Sequence, residues 1–349
     1  MRRACLILLA LPFLVQTTLR GQDAPKPNQD AASLIQRLHT AAAGSALDTA
    51  EMKPWHLKMT AQLFDAKGQL SDQGSIEEWW NSPGEDRREY KTKEYTATEI
   101  RTGGKLYRTA GMDLPPYYLE LLREQVVHPF YPSEKGDADL HKLTANKVEL
   151  DCIESRPAKV QGSFALGAFP TYCVDAGGTS LRISLNFSSQ EIDRAVLGQF
   201  QGKEVAVGAI VRANSNKVAT EQVDSLSGGA APESEFTVTA ETPEVVPPIV
   251  SAGDRDRVVV GNLISSKDPL FPQMAKVQHS GNGLVVVRAI IKTDGSVRNV
   301  SVVSSTNPVY EGASMDAVRQ WKYKPFTLDG KPIEVETVVV VRFSYAGPS

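Results

Sequence analysis

Near the carboxyl end of the chain, Ile333, Val335, Thr337, Val339, Val341 and Phe343 alternate with Glu334, Glu336, Val338, Val340 and Arg342, a period of two held over eleven residues. Successive side chains of a strand point to opposite faces, so the pattern predicts one long strand with a face against a core. The residues before it supply that core. Leu284 to Lys292 is an apolar strand, Asp294-Gly295 is a tight hairpin signal, and Val297 to Val303 is the returning strand. Asn307-Pro308 then offers an N-cap and a proline at the first helical position, with Tyr310, Ala313, Ala317 and Trp321 following at spacings of three and four. Together these predict ββαβ, with Trp321 and Tyr323 sealing the helix on the sheet and Pro325 stopping it.

At the other end, Arg2 and Arg3 precede an apolar run from Ala4 to Val15 that is broken by Pro12, and a polar stretch begins at Gln16. This is the layout of an export signal, placed at residues 1–21 with Gly21 at its end. The run falls short of the roughly twenty apolar residues that cross a bilayer, which favours a cleaved leader. No Ala-x-Ala site marks the cut, so an uncleaved inner-membrane anchor stands as the alternative. Without the leader the cysteines are Cys152 and Cys173. An even number in an oxidising compartment predicts a disulfide, contributing about 3 kcal/mol in the chain-entropy model; two buried free thiols are the other reading.

The chain has 349 residues, 41% of them hydrophobic, enough for two cored domains. Its 38 basic and 41 acidic side chains give a net charge of -3, with no basic cluster to hold a nucleic acid. Ala31 to Ala43 carries Leu34, Ile35, Leu38, Ala41 and Ala42 at helical spacing, between Asp30 as N-cap and Gly44 as stop. From Trp55 the period becomes two: Leu57, Met59, Ala61 and Leu63 share a face ahead of a turn at Asp65 to Gly68. Further strands are expected at 75–80, 87–95, 96–101, 105–109, 147–153, 171–174, 181–187, 191–201 and 205–214, with a short helix opened by Pro115-Pro116. Adjacent residues of a strand diverge, so Glu77 and Glu78 cannot work as a catalytic pair and are expected in solvent. Trp79 and Trp80 diverge likewise, one into the core and one to the surface, where it packs or touches a lipid or peptide.

One helix followed by an antiparallel meander makes residues 30–224 an α+β domain that resembles the half-barrel of the periplasmic lipoprotein-carrier proteins. That resemblance implies a curved sheet cupping a lipid or lipoprotein. Residues 225–261 turn to Ser, Gly, Ala, Pro and Glu, with Pro247-Pro248, and are expected to be a linker.

In the last quarter of the chain, Phe271-Pro272, Ala275, Gly283, Asp294-Gly295 and the run AVRQWKYKP from Ala317 to Pro325 together resemble the TonB C-terminal domain. The domain is placed at 262–346. Its most specific element is Trp321-Lys322-Tyr323-Lys324-Pro325, and Phe271, Pro272, Gly283, Trp321, Tyr323 and Pro325 are its motif residues. The resemblance implies a periplasmic binding protein that takes an extended segment of an outer-membrane receptor as an added strand, in energy transduction for transmembrane transport. Val335, Thr337, Val339 and Val341 are then the expected partner-binding residues. The alternatives are an ordinary core strand or an edge paired with its own copy in a homodimer. An energy transducer also needs a membrane anchor and a long proline-rich spacer; here a folded domain occupies the place of the spacer.

Histidines 39, 56, 128, 141 and 279 show no pair at zinc-site spacing. No Gly-x-Ser-x-Gly elbow or phosphate loop occurs, and Gly281-Asn282-Gly283 is not followed by the helix that a dinucleotide fingerprint requires. The expectation is a binding protein, not an enzyme, with no metal or cofactor.

Overall fold

In the computed structural model, the described residues are 7–9, 31–65, 67–111, 113–130, 137–156, 166–167, 169–186, 190–245, 258–259, 263–278 and 280–344. The expected N-cap Asp30, the cleavage region, His279 and most of the apolar leader lie outside them. The chain divides into two compact units, Leu14–Val245 and Met1–Phe13 with Val246–Ser349.

Strand β1 (Ile7–Leu9) belongs to the second unit. The first unit begins with helix α1 (Ala31–Ser45), which runs one residue past the expected stop at Gly44. A meander of β2 (Trp55–Phe64), β3 (Leu70–Ser82), β4 (Glu85–Lys91), β5 (Thr96–Thr102) and β6 (Lys105–Arg108) follows. Helix α2 (Tyr117–Val127) starts after Pro116, as the proline pair suggests. The second meander comprises β7 (Asp137–Ala145), β8 (Val148–Arg156), β9 (Thr171–Asp175), β10 (Leu181–Asn186), β11 (Gln190–Phe200), β12 (Lys203–Ala213) and β13 (Asn216–Gly228), and β14 (Glu244–Val245) returns to pair with β6.

Pairing of β13 with β2 joins the two meanders into one antiparallel sheet of thirteen strands, ordered β14-β6-β5-β4-β3-β2-β13-β12-β11-β10-β9-β8-β7. Helix α1 touches β7 and β8 and also β12, so the sheet must curl around it. Leu34, Leu38 and Ala41 of α1 pack on Ile153, Val174 and Leu181. Leu119, Leu122 and Val126 of α2 pack on Trp55, Leu57, Met59 and Ile76. The unit is mostly β, more so than an α+β reading expects. Cys152 and Cys173 face each other across β8 and β9, fully buried, and form the expected disulfide.

The first unit extends beyond residue 224. β13 continues to Gly228, and the chain then lays Ala231 and Phe236 (5% exposed) against Ile100, with Trp79 and Val238 at the margin. The linker expected at 225–261 therefore cannot begin before Val245. Composition misleads there because a few buried apolar side chains, Ala231, Phe236 and Val245, together with the pairing of β14 on β6, anchor a segment of mostly small and polar residues.

The second unit contains β15 (Val258–Val259), β16 (Leu263–Ser265), α3 (Gln273–Val277), β17 (Gly283–Ile291) and β18 (Val297–Ser305). Asn307 caps the next turn, its side chain accepting from the Val309 N–H at 3.1 Å, and a 3₁₀ turn leads into α4 (Glu311–Val318). Short strands β19 (Lys322–Tyr323), β20 (Phe326–Leu328) and β21 (Lys331–Ile333) precede the long β22 (Val335–Phe343). The main sheet is ordered β1-β22-β17-β18. Two strands, a helix and a final strand thus occur in the expected order, with three short strands added between the helix and the last.

The helix ends earlier than expected. Gln320 and Trp321 donate to the carbonyls of Ala317 and Val318, three residues back, which tightens the last turn. The Tyr323 N–H then donates to Gly295 O at 2.9 Å, drawing the chain onto the hairpin tip. Trp321 therefore lies beyond the helix, and Pro325 follows β19 instead of stopping α4.

Helix α1 is tied to the sheet by Arg37, which donates to Asp151 Oδ2 (2.6 Å), Gly178 O (2.7 Å) and Asp175 O (3.0 Å). Asp151 is 4% exposed, and burial alone would raise its pKa. Bonds from Lys142, the Gly177 N–H and Arg37 outweigh that and hold it at about 2. Its contribution is present above the unfolded value of 3.8 and is lost as pH falls through about 2. Asp151→Asn should cost about 2 kcal/mol at neutral pH in chemical unfolding, with the difference from wild type shrinking as pH falls from about 4 toward 2.

Candidate functional site

β22 pairs with β17 without interruption, from Val335 opposite Ile291 to Phe343 opposite Gly283. Among the described residues, its other side meets only β1, with Leu9, Leu8 and Ile7 opposite Val339, Val340 and Val341. Elsewhere along β22, no strand among the described residues covers that outer side. An edge of this length, rich in valine, is the kind that proteins normally blunt.

Of the four residues expected to bind a partner, Val339 (1% exposed) and Val341 (0%) point into the core beside Val285, Val287 and Trp321. Val335 and Thr337 are half-buried. What β22 presents along its outer side is therefore chiefly main chain. On the opposite face, buried Arg288 of β17 donates to Glu336 Oε1 at 2.5 Å, and Arg298 Nη2 of β18 donates to Glu334 Oε2 at 2.6 Å. These cross-strand pairs were not legible from spacing alone, since they join residues about forty apart.

Aromatic packing holds β22 in place. The Tyr310 and Phe343 rings stack with centroids 4.6 Å apart, and Phe271 meets both edge-on at 5.8 and 6.1 Å. The Tyr310 hydroxyl donates to Gly281 O at 2.9 Å. Gly283 is required beneath that ring, because a Cβ there would lie 2.3 Å from it. Trp321 and Tyr323 are both 1% exposed, and the Trp321 Nε1–H donates to Lys267 O at 3.1 Å. Burial pushes the Tyr323 phenol upward, out of the titration range. Phe271 and Pro272 line a groove of about 1280 Å³ between Lys267–Lys276 and α4, which ends at Phe343 and Ser344. Among the motif residues, Gly283, Trp321 and Tyr323 thus serve packing that fixes the edge strand, and Phe271 adds to it from the groove wall; Pro325 is half-buried beyond β19.

The hairpin tip is set by Asp294, which accepts from the Ser296 hydroxyl (2.5 Å) and N–H (2.8 Å). Those bonds hold its carboxyl below the ordinary range. Gly295 follows at φ +80°, a conformation glycine adopts without strain.

In the first unit, Trp80 is buried and stacked on Trp55, whereas Trp79 faces the other way and stacks on His56 at 3.5 Å. His56 Nε2 lies 2.8 Å from Glu77 Oε1. Glu78 is not in solvent: it is 0% exposed and accepts from Arg123 Nε (2.6 Å) and Nη2 (2.5 Å), with Arg88 Nε at 3.1 Å. Strand register extends this into a row of alternating charge, Glu78, Arg88, Glu99 and Arg108, across β3 to β6. Arg108 Nε donates to Glu99 Oε1 at 2.6 Å. This part of the concave face is thus lined by paired charges, unlike the apolar cup that the carrier resemblance implies. No group of three or more His, Cys, Asp or Glu is placed to hold a metal ion among the described residues.

An antiparallel sheet with one helix on its face and a long strand whose outer side, among the described residues, is covered by only three residues defines a small α+β domain. Residues 267–345 match the family model described as Gram-negative bacterial TonB protein C-terminal, so this part of the chain is a TonB C-terminal domain. No curated protein matches the chain. Among solved structures, a LolA superfamily protein from Nitrosomonas europaea is similar at 10% identity and a TM-score of 0.35, covering 60% of this chain and 99% of that one. A DUF1329 family protein from Desulfovibrio piger is similar at 9% identity and a TM-score of 0.32, covering 60% and 98%.

Gly283→Ala should unseat Tyr310 and with it Phe343, lowering the unfolding free energy of the C-terminal domain by roughly 1–3 kcal/mol in denaturant titration. An unchanged midpoint would mean that the ring has room to move.

Proposed function

We propose that this protein is an exported, non-catalytic component of the bacterial cell envelope. Its TonB C-terminal domain binds an extended segment of an outer-membrane receptor by accepting it as a strand beside β22. The observation that carries this reading is the outer side of β22: the strand pairs over its full length with β17 but, among the described residues, over only three with β1. Main-chain hydrogen bonds would supply affinity, while half-buried Glu336, Val338 and Val340 would set which side chains an added strand tolerates. The periplasm is the compartment that fits such a receptor and an oxidised Cys152–Cys173 pair. Transduction of energy for transport is a further step that would need coupling to the inner membrane. Among the described residues, no helix is long and apolar enough to cross a membrane.

N–H groups alternate in direction along a strand, so of the neighbours Val339 and Val340 one donates toward β17 and the other outward. Proline at each position removes one donor. Measured against peptides from outer-membrane receptor termini, one variant should keep its circular dichroism and lose at least about tenfold in affinity, or ~1.4 kcal/mol. The other should lose structure. Two folded variants that both bind as wild type would reject strand addition.

A further inference from the structure

Glu221 lies in the middle of β13, opposite Ala61 of β2 on one side and Ala209 of β12 on the other. It is 6% exposed, and neither carboxyl oxygen has a hydrogen-bond partner. On the far side of β12, the register of β11 shifts between Asp193 and Val196, and Arg194 within that shift is 1% exposed. Its Nη1 donates to Leu181 O at 3.2 Å and its Nη2 to Gln125 O, in the last turn of α2, at 3.3 Å. Arg194 Nε and Gln125 Oε1 have no partner. A buried acid and a buried cation thus flank one alanine-bearing strand, each with bonding capacity unused, and no ion pair joins them.

Small residues continue the row in which Glu221 sits. Gly74 is opposite Ala61, and a Cβ at Gly74 would come within 2.6 Å of Leu119 on α2. Helix α2 therefore lies close on this row and contacts β2, β3, β12 and β13. The helix brings Glu120, Arg123 and Glu124, of which Arg123 is held by Glu78. On β2, Lys58 is paired with Glu77, and on β12 Glu204 accepts from Ser180. Arg194 is the cation that acts on Glu221, and it also feels Glu204 and Arg182.

We propose that Glu221 and Arg194 form a proton-operated latch for α2: neutral Glu221 leaves Arg194 holding the last turn of the helix through Gln125 O, and loss of the proton draws Arg194 to the carboxylate and frees that turn. The proton passes to solvent, and no covalent bond other than the acid O–H breaks. Burial pushes the Glu221 carboxyl well above its ordinary range and brings the Arg194 guanidinium down to about 10. The folded chain therefore holds a proton that the unfolded chain releases. Stability from this group falls as pH rises from the ordinary carboxylate range, 4.5, toward the raised value. A neutral acid with no partner is a cost to the fold, and a switch is the use to which such a group can be put.

Amide hydrogen exchange on the full chain tests this, comparing wild type with Glu221→Gln at each pH so that intrinsic exchange cancels. At about pH 6 the amides of Val126, Val127 and His128 should exchange equally in the two proteins. By about pH 9 those of wild type should exchange faster by roughly tenfold or more. Arg194→Met, which removes the donor to Gln125 O, should speed these amides at both pH values. If the Gln variant fails to fold, Glu221→Met supplies the same comparison. A wild-type to variant ratio near one throughout, or faster exchange spread equally over β2 to β5, would overturn the latch.

Discussion

A strand without a full-length neighbour on one side turns main-chain groups away from any partner, and β22 is such a strand: among the described residues its outer side meets only the three residues of β1. Its inner side is satisfied by β17 from one end to the other. A flexible edge would lose ordering entropy each time it bound, so an edge useful for recognition has to be rigid beforehand. Core packing of Val339, Val341 and Phe343, the stack of Phe343 on Tyr310, and the Arg288–Glu336 pair provide that rigidity from both faces. The same arrangement explains why motif residues such as Trp321 and Gly283 sit away from the edge: they fix its shape.

The first unit is organised by a different constraint. Two meanders that would each be a separate sheet become one because β13 pairs with β12 on one side and β2 on the other. Curvature then lets α1 reach from β7 to β12, and Arg37 ties that helix to the turn after β9. The concave side is occupied by helices over an apolar floor at β2 and by a charge row at β3 to β6. Glu78 lies between Arg123 and Arg88, so the loss of both would leave a buried charge unpaired.

Much of the C-terminal domain is legible in its sequence because local signals agree: the Asp294-Gly295 turn, the Asn307 cap and the period-two run all specify the same topology. The helix end is less legible, since β19 is stabilised by pairing with β16, more than fifty residues away in the chain. β13 carries no clear strand signal, and its central inward residue is Glu221, which breaks the apolar alternation where burial is deepest. Glu78 misleads in the same manner: its partner Arg123 comes from α2, and tertiary contact overrides the rule that acids face water. The segment after residue 224 reads as linker because few apolar residues, among them Ala231, Phe236 and Val245, anchor it. At the edge itself, the sequence identifies the strand correctly but not that Val339 and Val341 spend their side chains on the core.

The most direct measurement is photocrosslinking in intact cells of the source organism, with a photoreactive residue replacing Thr337 or Val340 in the full chain and mass spectrometry of the adducts. Adducts to a short extended segment of an outer-membrane protein are expected from both positions. Adducts only to a second copy of this chain would contradict receptor binding and make β22 a dimer edge.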